Sequence, residues 1–128
     1  MTAHKQKRNA INAISPNAKF TLFGLTLNWL DENQRKPTEE EIQAKIQELR
    51  AAEPLRQLRI QRNQLLASTD WRMTTDYPYA DQPEWEDYRF ELRELPQRIA
   101  NGEVPAPTLN ENDMLMFDEW PLKPGETA

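Results

Sequence analysis

The apolar positions fall into patterns of two different periods. Phe23, Leu25, Leu27 and Trp29 alternate with Gly24, Thr26 and Asn28, the period-two spacing of a half-buried strand. Phe20 and Leu22 stand in the opposite phase, so the phase slips near Phe23-Gly24. That slip predicts either a hairpin turn or a bulge in one kinked strand. A lone strand cannot satisfy its own backbone, so these residues need a second strand, from this chain or from a partner. Period 3.6 takes over at Ile42, Ile46 and Leu49, a narrow helical stripe. Pro37-Thr38 precedes it, with Thr38 as cap and Glu41 answering three residues later as a capping box. Glu39, Glu40 and Glu41 suit the positive end of that helix and need no other role.

Pro54 disfavours helical conformation in the residue before it, so this helix is predicted to end near Ala52-Glu53. Pro54 then suits the first turn of a next helix with Leu55, Leu58, Leu65 and Leu66 on its apolar face. Met73 to Gln82 has no period, and Tyr77-Pro78-Tyr79 reads as an extended or turn element. Asp81 can cap a third helix with Pro83 in its first turn. Trp85, Tyr88, Leu92 and Leu95 share one face of it, and it is predicted to stop at Pro96. Beyond it, Asn101-Gly102 marks a turn and Pro105 and Pro107 stiffen an extended run. Met114 to Phe117 reads as an edge strand or docking peptide, and Trp120 as an anchor in an extended tail.

The expected fold class is α+β, mainly α. It comprises a short N-terminal strand or hairpin, two to three helices with a helical-hairpin core, and an extended Pro-rich C-terminal tail. The expected divisions are a basic N-terminal arm (1–18), strand or hairpin plus lead-in helix (19–53), helical core (54–96) and tail (97–128). The arm reads as a flexible terminus.

Composition narrows the function. The 128 residues are 38% hydrophobic and 29% charged, with ten prolines and three glycines, which allows a small core and surface completed by a partner. There are no cysteines, so disulfide and thiolate chemistry is excluded. No apolar run approaches the roughly 20 residues of a membrane span, and the N-terminus lacks a signal peptide's apolar core. The net charge of -5 is uneven: Lys5, Lys7, Arg8 and Lys19 lie in the first 19 residues with no acid. Residues 73–95 hold seven acids against Arg89 and Arg93. Acidic surface disfavours phosphate binding, so Arg56, Arg59 and Arg62 read as pairing with nearby acids rather than gripping nucleic acid.

No nucleophile or motif for catalysis stands out. Carboxylates are plentiful enough for a glycosidase pair, but so small a core with so few glycines argues against a pocket that raises one carboxylate's pKa. His4 is the sole histidine, so no Ser-His-Asp or Cys-His arrangement can be built. HExxH, CxxC, GxGxxG and P-loop motifs do not occur. The expectation is no enzyme activity, no cofactor and no metal.

Arg62-Asn63-Gln64-Leu65-Leu66, Thr69-Asp70-Trp71, Asp76, Pro78, Trp85-x-x-Tyr88-Arg89-x-x-Leu92-Arg93-x-x-Pro96 and the closing Trp120-Pro121 occur in fixed order. In that order and spacing they resemble the tail assembly chaperones, or tail fibre assembly proteins, of tailed bacteriophages. Trp29-Leu30-Asp31 followed by Pro37-Thr38-x-x-Glu41 is similar to lead-in sequences of phage proteins. The resemblance implies a non-enzymatic chaperone that binds a phage tail fibre protein, or a baseplate protein, and assists its folding or attachment. Two alternatives stand beside it: a virion structural adaptor that stays on the fibre or baseplate, and a small nucleic-acid-binding regulatory protein. The resemblance implies the host cytoplasm during assembly, or the virion tail for the adaptor. A homo-oligomer is compatible with it; membrane binding is not expected.

Leu65, Leu66, Trp71, Trp85, Tyr88 and Leu92 are assigned to the core, where Trp71, Trp85 and Tyr88 are expected to pack the two helices together. Phe23, Leu25, Leu27, Trp29, Arg89, Arg93, Met114, Phe117 and Trp120 are the partner-binding candidates. Arg89 and Arg93 are expected either to bridge to Asp70 and Asp76 or to face the partner. The strand at Phe20–Leu30 and that at Met114–Phe117 are candidates for adding a strand to a β-rich fibre.

Overall fold

The computed structural model describes residues 1–126. The fold is α+β and mainly α, with three helices and two small two-stranded sheets among the described residues. The chain divides into two compact units, Met1–Glu53 and Pro54–Ala128.

Unit one begins with helix α1 (Ala3–Ile14), where the sequence reading has a flexible terminus. Thr2 caps it, its side chain accepting a hydrogen bond from the Lys5 backbone N–H. The helix forms because Lys7, Ala10 and Ile11 share a buried face, a spacing of three and one that is masked by the surrounding charge. Strands β1 (Phe20–Phe23) and β2 (Thr26–Trp29) follow as an antiparallel hairpin, pairing Phe20 with Trp29 and Leu22 with Leu27. The residues that the strand needs for pairing therefore come from this chain. Gly24 takes φ +59 at the first position of the two-residue turn, the conformation a primed turn requires there. The phase slip in the sequence is this turn: Phe20, Leu22, Leu27 and Trp29 share the inner face. The Phe20 and Trp29 rings stack at 6.1 Å. Ala10, Ile11, Ile42 and Ile46 form the core, with Ile14, Phe20, Leu27 and Trp29 packed around it.

Helix α2 (Glu39–Thr69) starts as the capping box predicts. The Glu41 N–H donates to Thr38 Oγ1 at 3.1 Å, and the Thr38 N–H donates to Glu41 Oε1 at 3.3 Å. The helix does not end at Ala52-Glu53 but continues through Pro54. A proline inside a helix costs about 3 kcal/mol. Ile42 and Ile46 are buried before it and Leu58 after it, and full burial of each such side chain stabilises by about 1.5–3 kcal/mol. The intervening Arg50, Ala51, Ala52 and Leu55 are strong helix formers.

Unit two is built on the later half of α2 and on helix α3 (Gln82–Ala100), joined by a 3₁₀ turn (Asp70–Met73) and a loop. Leu58, Leu95 and Val104 form one core cluster. Trp85, Tyr88 and Leu92 form a second, with Leu65, Leu66 and Met73 against it. Within this unit Leu55 and Leu58 of α2 meet Leu95 and Ile99 of α3, while Leu65 and Leu66 meet Trp85, Tyr88 and Leu92, an antiparallel helical pair. α3 runs past Pro96, because Leu95 and Ile99 continue its buried face. It stops at Gly102 (φ +78), where the Glu103 N–H reaches Arg98 O and the Gly102 N–H reaches Ile99 O, a Schellman closure.

The expected extended tail is replaced by local structure. Strands β3 (Thr108–Leu109) and β4 (Leu115–Met116) pair antiparallel. Asn110 organises the turn between them, its side-chain oxygen accepting from the Asn112 and Met114 N–H groups. Leu115, Phe117 and Trp120 then pack on the Leu58–Leu95–Val104 cluster, which is why the segment folds back.

Candidate functional site

In unit one the candidate residues divide by face. Leu27 and Trp29 are half-buried against the core. Phe23 and Leu25 stand at the hairpin tip, Phe23 with 79% of its surface exposed. The tip is fastened from behind. Lys7 Nζ donates to Leu25 O at 2.8 Å and to Glu39 Oε2 at 3.1 Å, and the His4 ring nitrogen Nδ1 lies 2.7 Å from Gly24 O. Hydrogen bonds to Gln43 and then to Lys7 hold the Glu39 carboxyl below its usual range. Lys7 is buried, and these two acceptors satisfy its charge. The result is two apolar side chains displayed on a turn whose carbonyls are anchored.

The loop below the hairpin is ordered by Asp31. Its carboxylate accepts from the N–H groups of Lys19, Asn33 and Gln34 at 2.8–2.9 Å, which lowers its pKa. Arg35 makes a two-pronged pair with Glu41 at 2.8 and 2.9 Å. That pair, with the Thr38 bonds, brings the Glu41 pKa down to about 2.

In unit two Arg89 is mostly buried and clamps the end of α2. Its Nη1 donates to Leu66 O at 2.6 Å and to Thr69 Oγ1 at 2.7 Å, and its Nη2 pairs with Asp70 at 2.8 Å. Arg89 thus bridges to Asp70, whose side chain is 67% exposed. Arg93 is exposed, as is Asp76.

Trp85 and Tyr88 sit in the core, meeting edge-to-face at 5.6 Å, while Trp71 lies outside it with half its surface exposed. The reason is the 3₁₀ turn, which carries Trp71 off the buried face of α2 and onto the loop. There Trp71 meets Tyr77 edge-on at 5.4 Å, and Tyr77 meets Tyr79 at 5.3 Å. The Arg72 guanidinium lies 4.4 Å from the Trp71 ring centre and 3.9 Å from that of Trp85. It also donates to Tyr77 Oη, which in turn donates to Asp81 Oδ1 at 2.6 Å. Asp81 Oδ2 accepts from the Trp85 indole at 3.1 Å. The Asp81 side chain therefore ties the loop to α3 rather than capping the helix. The Tyr77 bond holds its pKa below the ordinary value, and burial with the Asp81 contact raises that of Tyr77. Gln82 closes the loop by donating to the carbonyls of Arg72 and Thr74.

Arg72, Tyr77 and Tyr79 were not singled out as site residues by their spacing. The alternation Tyr77-Pro78-Tyr79 beside an Arg-bearing turn is the signal that points to them. Met114 is exposed on the second hairpin, and Phe117 and Trp120 meet edge-on at 5.2 Å. Trp120 anchors on its own unit, against both core clusters. An open groove of about 590 Å³ lies beside it, lined by Gln61, Gln64, Leu65, Tyr88 and Trp120 among others. Burial raises the Tyr88 pKa at its wall. Among the described residues no group of three or more His, Cys, Asp or Glu side chains is arranged to hold a metal ion. No described helix is long and apolar enough to cross a membrane.

Comparison with known proteins gives one family. A family model described as phage tail assembly chaperone protein matches residues 55–125. No curated protein and no solved structure matches.

Proposed function

Because this chain belongs to the phage tail assembly chaperone protein family, and so has a role in tail assembly, we propose that it acts without catalysis by binding a tail fibre protein. On this reading it assists folding or attachment of the fibre in the host cytoplasm. The observation that carries the reading is the extent of the family match, which takes in both core clusters, the aromatic loop and Trp120. The two-stranded sheets support it. Each has unpaired outer edges, and fibre strands awaiting their neighbours need such edges covered.

Within this reading Phe23 and Leu25 are the first contacts of unit one, since they are apolar, exposed and held on an anchored turn. Met114 on the second hairpin is a further contact. Leu27, Trp29, Phe117 and Trp120 support these contacts from the core side. The experiment is to co-express the chain with the phage's tail fibre protein and purify through a tag on the fibre, with a quantitative protein inventory of finished particles alongside. Co-purification that is weakened by the paired changes Phe23→Asp and Leu25→Asp is the expected result. Normal fibres in phage lacking this chain would overturn the reading. A fixed ratio of chain to fibre in the particle would replace the transient chaperone with a structural adaptor.

A further inference from the structure

We propose that the loop between α2 and α3 is a docking surface for an extended, arginine- or lysine-bearing segment of a protein partner. It rests on the assembly reading only for the partner being a protein. Three observations converge. First, Trp71 and Tyr79 are large aromatics with 50% and 62% of their surface exposed. Exposed rings of this kind are typical anchors of interfaces. Second, they are not exposed by a slack loop. Tyr77 bridges them edge-on, and the Arg72–Tyr77–Asp81–Trp85 chain and the two Gln82 bonds fix the backbone. A preorganised surface loses little conformational entropy on binding.

Third, the chemistry of the surroundings is one-signed. Between positions 70 and 87 the sequence has Asp70, Asp76, Asp81, Glu84, Glu86 and Asp87 against Arg72 alone. Arg72 is spent internally on two ring faces and the Tyr77 hydroxyl. Arg89, the next cation, is engaged with Asp70 and the end of α2. What remains exposed is Trp71 and Tyr79 on the loop, with Asp76 between them in sequence and Glu84 in the first turn of α3. Ring faces attract cations, and the carboxylates add long-range attraction. Arg72 over Trp71 is the same contact made within the chain. A nucleic acid is repelled by such a surface.

The test uses the full-length protein and three end-blocked octapeptides: alternating arginine and proline, alternating glutamate and proline, and alternating alanine and proline. The readout is the NMR signal of each tryptophan indole N–H and of the tyrosine rings. The arginine peptide is expected to shift Trp71 and Tyr79 saturably, and the glutamate peptide to leave them unmoved. Trp71→Ala and, separately, Tyr79→Ala should each weaken binding about tenfold, the usual scale for an interface anchor. Asp76→Lys should weaken it by a smaller factor and flatten its salt dependence. Equal binding of the three peptides, shifts confined to Trp29 or Trp120, or no shift at millimolar peptide would overturn the proposal. A fibre complex that survives such a result leaves the assembly reading standing, and loss of the complex in wild type removes that reading instead.

Discussion

Unit one closes a purely aliphatic centre of Ala10, Ile11, Ile42 and Ile46 with a hairpin, whereas unit two fills its centre with Trp85, Tyr88 and leucines and wires it with polar bonds. In unit one long-range polar bonds fasten the hairpin: Lys7 reaches 18 positions to Leu25 O and 32 to Glu39, and His4 lies beside Gly24 O, while several other bonds stay local. Asp31 serves its own loop, Thr38 and Glu41 serve one helix start, and Arg35 reaches six positions to Glu41. In unit two Arg89 reaches back 23 positions to Leu66 O and 20 to Thr69. The family match covers unit two from residue 55, while unit one lies outside it. The difference teaches that the two units use their long-range polar bonds for different ends: unit one anchors a turn, and unit two, which holds the family match, clamps a helix end onto the facing helix. The hairpin lies outside the matched residues.

The comparison can be broken most strongly at Trp85. Trp85→Ala removes a ring that is 8% exposed, together with partners for Asp81 and Arg72, and should cost unit two about 3–5 kcal/mol. Urea unfolding followed at the indole N–H of Trp120 and of Trp29 checks it. Trp120 should lose its native signal at lower urea, and Trp29 should move less. An equal shift at Trp29 would mean that the two units do not differ in how their stability is held.

A smaller effect is expected in the hairpin. Gly24→Ala meets no atom within 4 Å, so its whole cost is the positive φ, about 1–2 kcal/mol. Amide exchange across Phe20–Trp29 should quicken while α3 amides stay unchanged. The smallest effect is the pH response of Glu41. Its folded pKa of about 2 lies below the 4.5 of the free group, so its contribution is complete above about pH 4.5. It fades as the pH falls from there through about 2. A carboxyl titration by NMR should place the Glu41 midpoint near 2, and Arg35→Gln should raise it. An unshifted midpoint would dissolve the Arg35–Glu41–Thr38 wiring ascribed to the start of α2.

Separation along the chain, in either unit, governs what was legible. The capping box, the phase slip at Phe23-Gly24, and the shared face of Trp85, Tyr88, Leu92 and Leu95 are short-range patterns, and the structure has each of them. Helix α1 was hidden because its buried face is one lysine, one alanine and one isoleucine amid charge. The two helix ends placed at prolines failed because packing on both sides of Pro54 and Pro96 outweighs the lost hydrogen bond. Trp71 has the composition of a core residue, and only the 3₁₀ turn puts it on the surface. The Arg72–Tyr77–Asp81 chain depends on loop geometry that no periodicity encodes.

Trp120 packs against both clusters of unit two and comes after everything else they contain. During synthesis the chain emerges from its N-terminus, and units fold as they become complete. The core of unit one is all present once Ile46 has been made. Unit two has both helices long before it has the indole that covers them. Until that indole is added, Leu65 and Tyr88 lack an apolar neighbour that the folded unit gives them. Unit one can therefore close early in synthesis, whereas unit two closes only with Trp120, the last residue of its clusters.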